Sequence, residues 1–313
     1  MSTITSIASN DKGGWKELSR ILAEILYPMG FDLVKAFPAE RYNSNLSSAG
    51  TLVPLSATNF KNTDKSISTQ HNHSSTLSVI IGNTKHLWPI FLNHYVKNMR
   101  ENAGDTQCAN STTEEMDDTY KRDNPLDWYT QVSVESAVKS AVSKFAGNTS
   151  KYDIRYVFDL SEDRFVAFQQ LAQDAGLSYY NKICYLNVHS EYGPWIGLRA
   201  VVTFDAEGPP NTPDLFPTLE NPYPKGDQLL RTKMDEIFVM NDGGYHQSSK
   251  STSVTESVAS IRRDWHKWVE LRDIAGGFMT EEMKFKYRYF EEQLEYHYTK
   301  NLKLLLKADS QCL

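Results

Sequence analysis

Two arginines stand where a guanidinium is costly. Arg199 lies inside Gly193-Pro-Trp-Ile-Gly-Leu-Arg-Ala-Val-Val-Thr-Phe204, which reads as a buried strand. Arg164 falls three positions after Ser161, in the first turn of a helix that Ser161 can cap. An interior guanidinium needs an anion or a dipole to meet it, and a cation in a first helical turn opposes the helix dipole. A bound carboxylate would answer both objections and use the guanidinium's planar fork. The other reading is structural: a salt bridge from Arg199 to Asp153, Asp159 or Glu207, and a solvated Arg164. Arg231, after a proline-rich stretch, is a third candidate contact, although alone it reads as a surface residue.

Strand alternation puts Ile196, Leu198, Ala200, Val202 and Phe204 on one face, with Gly197, Arg199, Val201 and Thr203 on the other. Gly197 leaves space beside Arg199 for close approach of a ligand. Tyr179, Tyr180 and Trp195 stand at strand or loop margins, where a ring either lines a pocket or fills the core. His189 ends a strand and by pattern is unremarkable. There is no Gly-rich phosphate loop, His-Glu-x-x-His helix or Gly-x-Ser-x-Gly elbow. His71 and His73 fall in a polar stretch and read as solvated loop, so no metal site is expected. Cys108, Cys184 and Cys312 are too scattered for a disulfide framework or thiolate cage; Cys184 reads as packing in an apolar strand.

The chain has 313 residues, 40% hydrophobic and 12% aromatic, with a formal net charge of -6 and no Lys/Arg block. A nucleic-acid footprint should be basic somewhere, so that class is disfavoured. No segment approaches the length of a membrane span, and Met1-Ser-Thr-Ile-Thr-Ser lacks a targeting pattern. The expectation is a soluble, cytoplasmic protein in a reducing compartment, with no nucleic-acid or membrane partner.

The elements that must position these residues follow from periodicity. Leu18, Ile21, Leu22, Ile25 and Met29 predict a helix over 15–29 that stops at Gly30. Strands are expected at 31–37, 76–82 and 154–158, and helices at 88–96 and 134–145. Phe165, Phe168, Ala172 and Ala175 predict a helix from Ser161 to Gly176. The runs 183–188 and 196–204 read as a hairpin. Proline interrupts 207–217, and Thr280 opens a long helix or a broken pair reaching 306. The whole reads as one α+β domain over 1–313, with a substantially antiparallel sheet and polar inserts near 59–74, 100–122 and 241–258.

In order along the chain, Arg41-Tyr-Asn43, Tyr179-Tyr180, His189, Tyr192-Gly-Pro-Trp195, Leu198-Arg-Ala-Val-Val202, Pro213-Asp-Leu-Phe-Pro217, Trp265-His-Lys-Trp268, Arg272-Asp273 and Phe285-Lys-Tyr-Arg-Tyr-Phe290 resemble the cobalamin-processing proteins of the methylmalonic aciduria and homocystinuria type C (CblC) family. The matches span most of 13–306. The resemblance implies a nitroreductase-like fold with a central, mainly antiparallel sheet flanked by helices. It implies uptake of cobalamin with its lower base detached, glutathione-dependent dealkylation of alkylcobalamins, and reductive decyanation of cyanocobalamin assisted by FMN or FAD.

Under that resemblance Arg164, Arg199 and Arg231 bind and position glutathione. Tyr42, Asn43, Tyr179, Tyr180, His189 and Trp195 are candidates for the cobalamin pocket and the adjoining flavin surface. The partners implied are these small molecules and a downstream cobalamin-trafficking protein; a monomer and a homodimer are equally compatible. The chain departs from the family pattern at Ser133, where the family has a histidine, and at Glu191, where it has an arginine. Two other functions stay open: a cobalamin-binding chaperone with little turnover, and a flavin reductase.

Overall fold

The computed structural model describes residues 14–46, 52–57, 74–104, 124–147, 149, 151–239 and 261–305. The polar stretches 59–73, 105–122 and 241–258, with His71, His73, Cys108 and Cys312, lie outside them.

The sequence expectation of a helix ending at Gly30 is met by α1 (Trp15–Leu26), a single 3-10 turn (Tyr27–Met29) and Gly30 at φ 92°. The chain then runs β1 (Leu33–Pro38), α2 (Glu40–Asn43), β2 (Thr76–Asn83), α3 (Leu87–Gly104), α4 (Pro125–Lys144) and β3 (Tyr152–Tyr156). It continues through α5 (Phe168–Asp174), β4 (Tyr179–Asn181), β5 (Leu186–Val188) and β6 (Gly197–Glu207). The C-terminal part holds α6 (Asp227–Val239), α7 (Trp265–Ala275), α8 (Glu281–Tyr287) and α9 (Glu291–Thr299).

The central sheet is antiparallel throughout, in the order β1-β2-β6-β3. Strand alternation divides its side chains between two cores. Leu77, Val79, Ile81, Ala200, Val202 and Phe204 pack with Leu18, Leu22 and Leu26 of α1 and Val134, Ala137 and Val138 of α4. On the opposite face Ile80, Val201 and Phe37 pack with Phe168, Leu171 and Ala172 of α5. Each fully closed Leu or Phe in these cores contributes on the order of 2 kcal/mol. The fold is therefore α+β, an antiparallel sheet flanked by helices.

Three expectations change. Residues 183–188 and 196–204 are not a hairpin: β5 pairs with β4 in a separate two-stranded sheet, while β6 crosses to lie between β2 and β3. Cys184 accordingly sits in the β4–β5 turn rather than in a strand. The helix predicted from Ser161 starts only at Phe168, and 161–164 form a bend and turn instead. The C-terminal helix is the broken pair α8 and α9, opened where Thr280 Oγ1 accepts the Met283 N–H. Helices α6 and α7, for which no element was expected, build a third core with Cys184 and Val188.

Candidate functional site

Arg199 owes its direction to an irregularity in β6. Between the pairs Ile81–Ala200 and Gly82–Leu198, β6 carries one extra residue. Such a bulge re-aims the side chains around it. Leu198 joins the core beneath Val201, on the α5 side. Arg199 is turned to the opposite face, into a pocket between β6, α3, α4 and α9. Simple alternation, which grouped Arg199 with Val201 and Thr203, is overturned by that one inserted residue.

The bulge depends on two facing glycines. A Cβ on Gly82 would lie 2.6 Å from the Gly197 carbonyl oxygen, and one on Gly197 would lie 2.8 Å from Asn83 Oδ1. The space beside Gly197 is filled by the Arg199 guanidinium itself, whose Nη2 would be 3.3 Å from that Cβ. Arg199 Nε donates to Asn83 Oδ1 at 2.7 Å, and Asn83 is anchored by its own bond to the Thr84 carbonyl. The structural partner of Arg199 is thus a neutral amide, not one of the three carboxylates that sequence offered.

The pocket is lined by Leu87, Trp88, Leu126, Arg199, Tyr289, Gln293, Tyr296 and His297, and its free volume is about 10 Å³. That is room for one water molecule, far below the size of a macrocycle. Arg199 is partly exposed, and behind it lies an interior guanidinium, Arg272, only 9% exposed. Arg272 donates to the Pro194 carbonyl at 2.7 Å and the Tyr298 hydroxyl at 2.8 Å, and its Nη2 is 3.4 Å from His297 Nε2. Among the described residues neither Arg199 nor Arg272 meets a carboxylate.

The surroundings respond to this charge. Burial, followed by the cations Arg272, Lys300 and Arg199, holds His297 well below the ordinary histidine range, so its imidazole is neutral. Burial pushes Tyr289 up to about 12, keeping its hydroxyl protonated. The Tyr289 hydroxyl and Gln293 Oε1 are both closed from solvent without a hydrogen-bond partner. Unsatisfied buried polar atoms are rare enough that two on one pocket wall call for an explanation.

Arg164 has a different environment. Its Nε lies 3.2 Å from Asp159 Oδ2 and its Nη1 3.4 Å from Asp153 Oδ1, while Nη2 donates to the Ile154 carbonyl. Asp159 also accepts the Tyr156 N–H at 3.0 Å. Since β3 is an edge strand, this turn satisfies backbone groups that no neighbouring strand reaches. Alongside, Arg155, 1% exposed, donates to Asp153 Oδ2 at 2.9 Å and to the carbonyls of Val53 and Pro54. Two guanidiniums here face two carboxylates.

The remaining sequence candidates scatter. Arg231 is exposed on α6. Tyr42 is fully buried beneath α5, where its hydroxyl accepts the Ala167 N–H. Asn43 brackets Leu55, donating to its carbonyl and accepting its N–H. Trp195 is buried against Tyr289, with the Arg288 guanidinium 5.3 Å from its ring. Tyr179 and Tyr180 lie partly exposed on β4.

His189 Nδ1 accepts the N–H groups of Glu191 and Tyr192, and burial takes its pKa down to about 4. The Cys184 thiol is pushed by burial up to about 11, which makes it a poor nucleophile. Of the two departures from the family pattern, Ser133 is buried in α4, and Glu191 accepts a hydrogen bond from the Tyr287 hydroxyl. Among the described residues no group of three or more His, Cys, Asp or Glu is placed to hold a metal ion. No described helix is long and apolar enough to cross a membrane.

Sequence reasoning named Arg272 only within a motif and passed over Arg155. Both were recoverable: Arg155 sits mid-strand between apolar neighbours, and Arg272 recurs at helical spacing with Trp268 and Val269. Tyr289, Gln293 and His297 recur every fourth residue, which places them on one helical face, but nothing in the sequence ties that face to Arg199.

Comparison with known proteins places this fold. No family model matches the sequence, and no curated protein matches it. The crystal structure of the C. elegans B12-trafficking protein CblC, a homologue of human MMACHC, is similar with a TM-score of 0.56 at 14% identity. The alignment covers 93% of this chain and 94% of that one. At such identity the likeness is one of fold.

Proposed function

We propose that this chain handles cobalamin, taking it up with the lower base detached and removing an upper alkyl ligand with the thiolate of glutathione. The observation that carries the reading is the fold likeness to a B12-trafficking protein over nearly the whole of both chains. The ordered motif resemblance and a nitroreductase-like reading of the antiparallel sheet support it.

In the proposed step the thiol loses its proton and the sulfur attacks the cobalt-bound carbon. The cobalt–carbon electron pair stays on cobalt, giving cob(I)alamin and a thioether. Arg199 is the sequence-predicted fork best suited to the glutathione carboxylates. Only it, of the three, faces a pocket with its charge unmet by an acid. A carboxylate at the mouth of that pocket would use the fork, and nearby positive charge would raise the thiolate fraction. Holding sulfur in line with the bond converts an intermolecular displacement into a positioned one.

A pocket for one water cannot enclose the corrin, so the macrocycle would lie outside it, with Tyr179, Tyr180 and His189 as its candidate contacts. Flavin-assisted removal of cyanide belongs to the same proposal.

A second reading, a cobalamin carrier with little turnover, is favoured by one specific observation. Arg164 is closed onto Asp153 and Asp159, and Arg231 is exposed on α6, so two of the three predicted forks do not join Arg199. Anaerobic incubation with methylcobalamin in the dark, with and without glutathione, separates the readings. Base-off absorption followed by thiol-dependent loss of the alkyl spectrum is expected. Base-off absorption that persists with thiol would establish the carrier, and an unchanged spectrum would end both readings.

A further inference from the structure

We propose that the outer edge of β1 is a docking site for an extended, acidic segment of a partner protein, taken up as an added strand of the central sheet. The inference does not depend on the cobalamin reading.

The two outer strands of that sheet are finished differently. Along β3 the Lys151 carbonyl accepts the Asp205 N–H and the Val157 N–H donates to the Arg199 carbonyl, so the odd-numbered residues of β3 bond to β6. The backbone groups of Ile154 and Tyr156 therefore point outward, and side chains meet them. Arg164 donates to the Ile154 carbonyl, and Asp159 accepts the Tyr156 N–H. Along β1 the Ala39 N–H donates to the Thr76 carbonyl, in register with the pairs Phe37–Ser78 and Lys35–Ile80. Alternation then turns the N–H and C=O groups of Val34 and Ala36 away from β2. Both residues are partly exposed, and among the described residues nothing bonds to those outward groups. An open edge of this kind is a template for a further strand.

Lys35, between them, sets the chemistry of the occupant. It is half-buried on the α5 face of the sheet, 5.7 Å from the centre of the Phe216 ring, and Arg41 stands 4.8 Å over the same ring. Among the described residues no carboxylate forms an ion pair with Lys35. In an antiparallel addition Val34 and Ala36 would make the hydrogen-bonded pairs. Lys35 would face the incoming residue between them in the closer, non-hydrogen-bonded pair. A Glu or Asp at that position meets the ammonium directly across the strands. The residues flanking it fall beside Val34 and Ala36, which pack on the core shared with α1, so apolar side chains suit them. The recognised segment thus alternates apolar, acidic, apolar. A second copy of this chain is a poorer occupant, because antiparallel pairing of two β1 strands about their centre sets Lys35 against Lys35.

The test uses the full chain and the peptide acetyl-Thr-Thr-Val-Glu-Val-Thr-Thr-amide, with a counterpart carrying Lys in place of Glu. Binding is read by calorimetry at low salt, and amide hydrogen exchange is followed in parallel. In the free chain the Val34 and Ala36 amides should exchange quickly and the Tyr156 amide slowly; the Glu peptide should slow the first two. That peptide should bind roughly tenfold more tightly than its Lys counterpart. Lys35→Glu should invert the order. Ala36→Pro, which deletes an outward N–H and spares the ladder to β2, should abolish binding of both. Slow exchange at Val34 and Ala36 in the free chain, no heat from either peptide at about 1 mM, or equal binding of the two would overturn the proposal. Dimerisation that protects Val34 and Ala36 without peptide would assign the edge to a second copy and likewise refute it. Should Ala36→Pro fail to fold, the order of the two peptides on Lys35→Glu decides the matter.

Discussion

Two pairs of arginines stand in opposite circumstances. Towards β3, Arg155 and Arg164 are matched by Asp153 and Asp159 and close the rim of the sheet. Beside α9, Arg199 and Arg272 are surrounded by amides, hydroxyls and a neutral imidazole. A guanidinium whose charge is met inside the protein is accounted for by the fold. One whose charge is unmet points to something outside the chain. Sequence position alone did not separate these cases, since Arg155 and Arg199 both sit mid-strand between apolar residues.

The sharpest way to break the matched region is Asp153→Ala. It strands the fully buried Arg155 and removes one of the two acids facing Arg164, so a loss of about 3–5 kcal/mol in denaturant unfolding is expected. A loss under about 1 kcal/mol would mean that the carbonyls of Val53 and Pro54 suffice for Arg155.

On the unmatched side, Gly197→Ala drives a methyl into Asn83 and the Arg199 guanidinium. Its expected cost in denaturant unfolding is about 1–3 kcal/mol. A cost under about 0.5 kcal/mol would show that the bulge admits a side chain there.

Acid should weaken the regions that keep histidine neutral. His189 is held at about 4, and His297 also lies below its ordinary value. A depressed histidine binds fewer protons folded than unfolded, so stability is complete above the unfolded pKa near 6.5 and falls as pH drops towards 4. The loss expected from unfolding curves across that window is on the order of 3 kcal/mol for His189. In His189→Gln the slope should flatten; an unchanged slope would assign the acid sensitivity elsewhere.

Most of the fold was legible, because α1, β2, β3 and α4 announce themselves through apolar spacing of three, four or two. The misread parts have physical causes. The supposed hairpin of β5 and β6 failed because strand pairing is decided by long-range packing: β6 buries both faces in the central sheet, while β5 takes β4. Ser161 does not cap a helix because Arg164 and Asp159 hold that stretch against the strand edge. Arg199 was assigned the wrong face, since no residue type marks a bulge unless the facing glycines Gly82 and Gly197 are read together. That α9 lines a pocket with Arg199 was invisible in one dimension.

The central claim, that Arg199 serves a ligand while Arg164 serves the sheet, is tested most directly by comparing Arg199→Gln with Arg164→Met. The measurement is the rate of alkyl loss from methylcobalamin as glutathione is varied, under anaerobic conditions in the dark. The account predicts that Arg199→Gln needs at least tenfold more glutathione to reach the same rate, a difference of about 1.4 kcal/mol. Arg164→Met should follow the wild-type thiol curve at a reduced unfolding midpoint. Equal dependence on glutathione in all three proteins, or a loss confined to Arg164→Met, would contradict it.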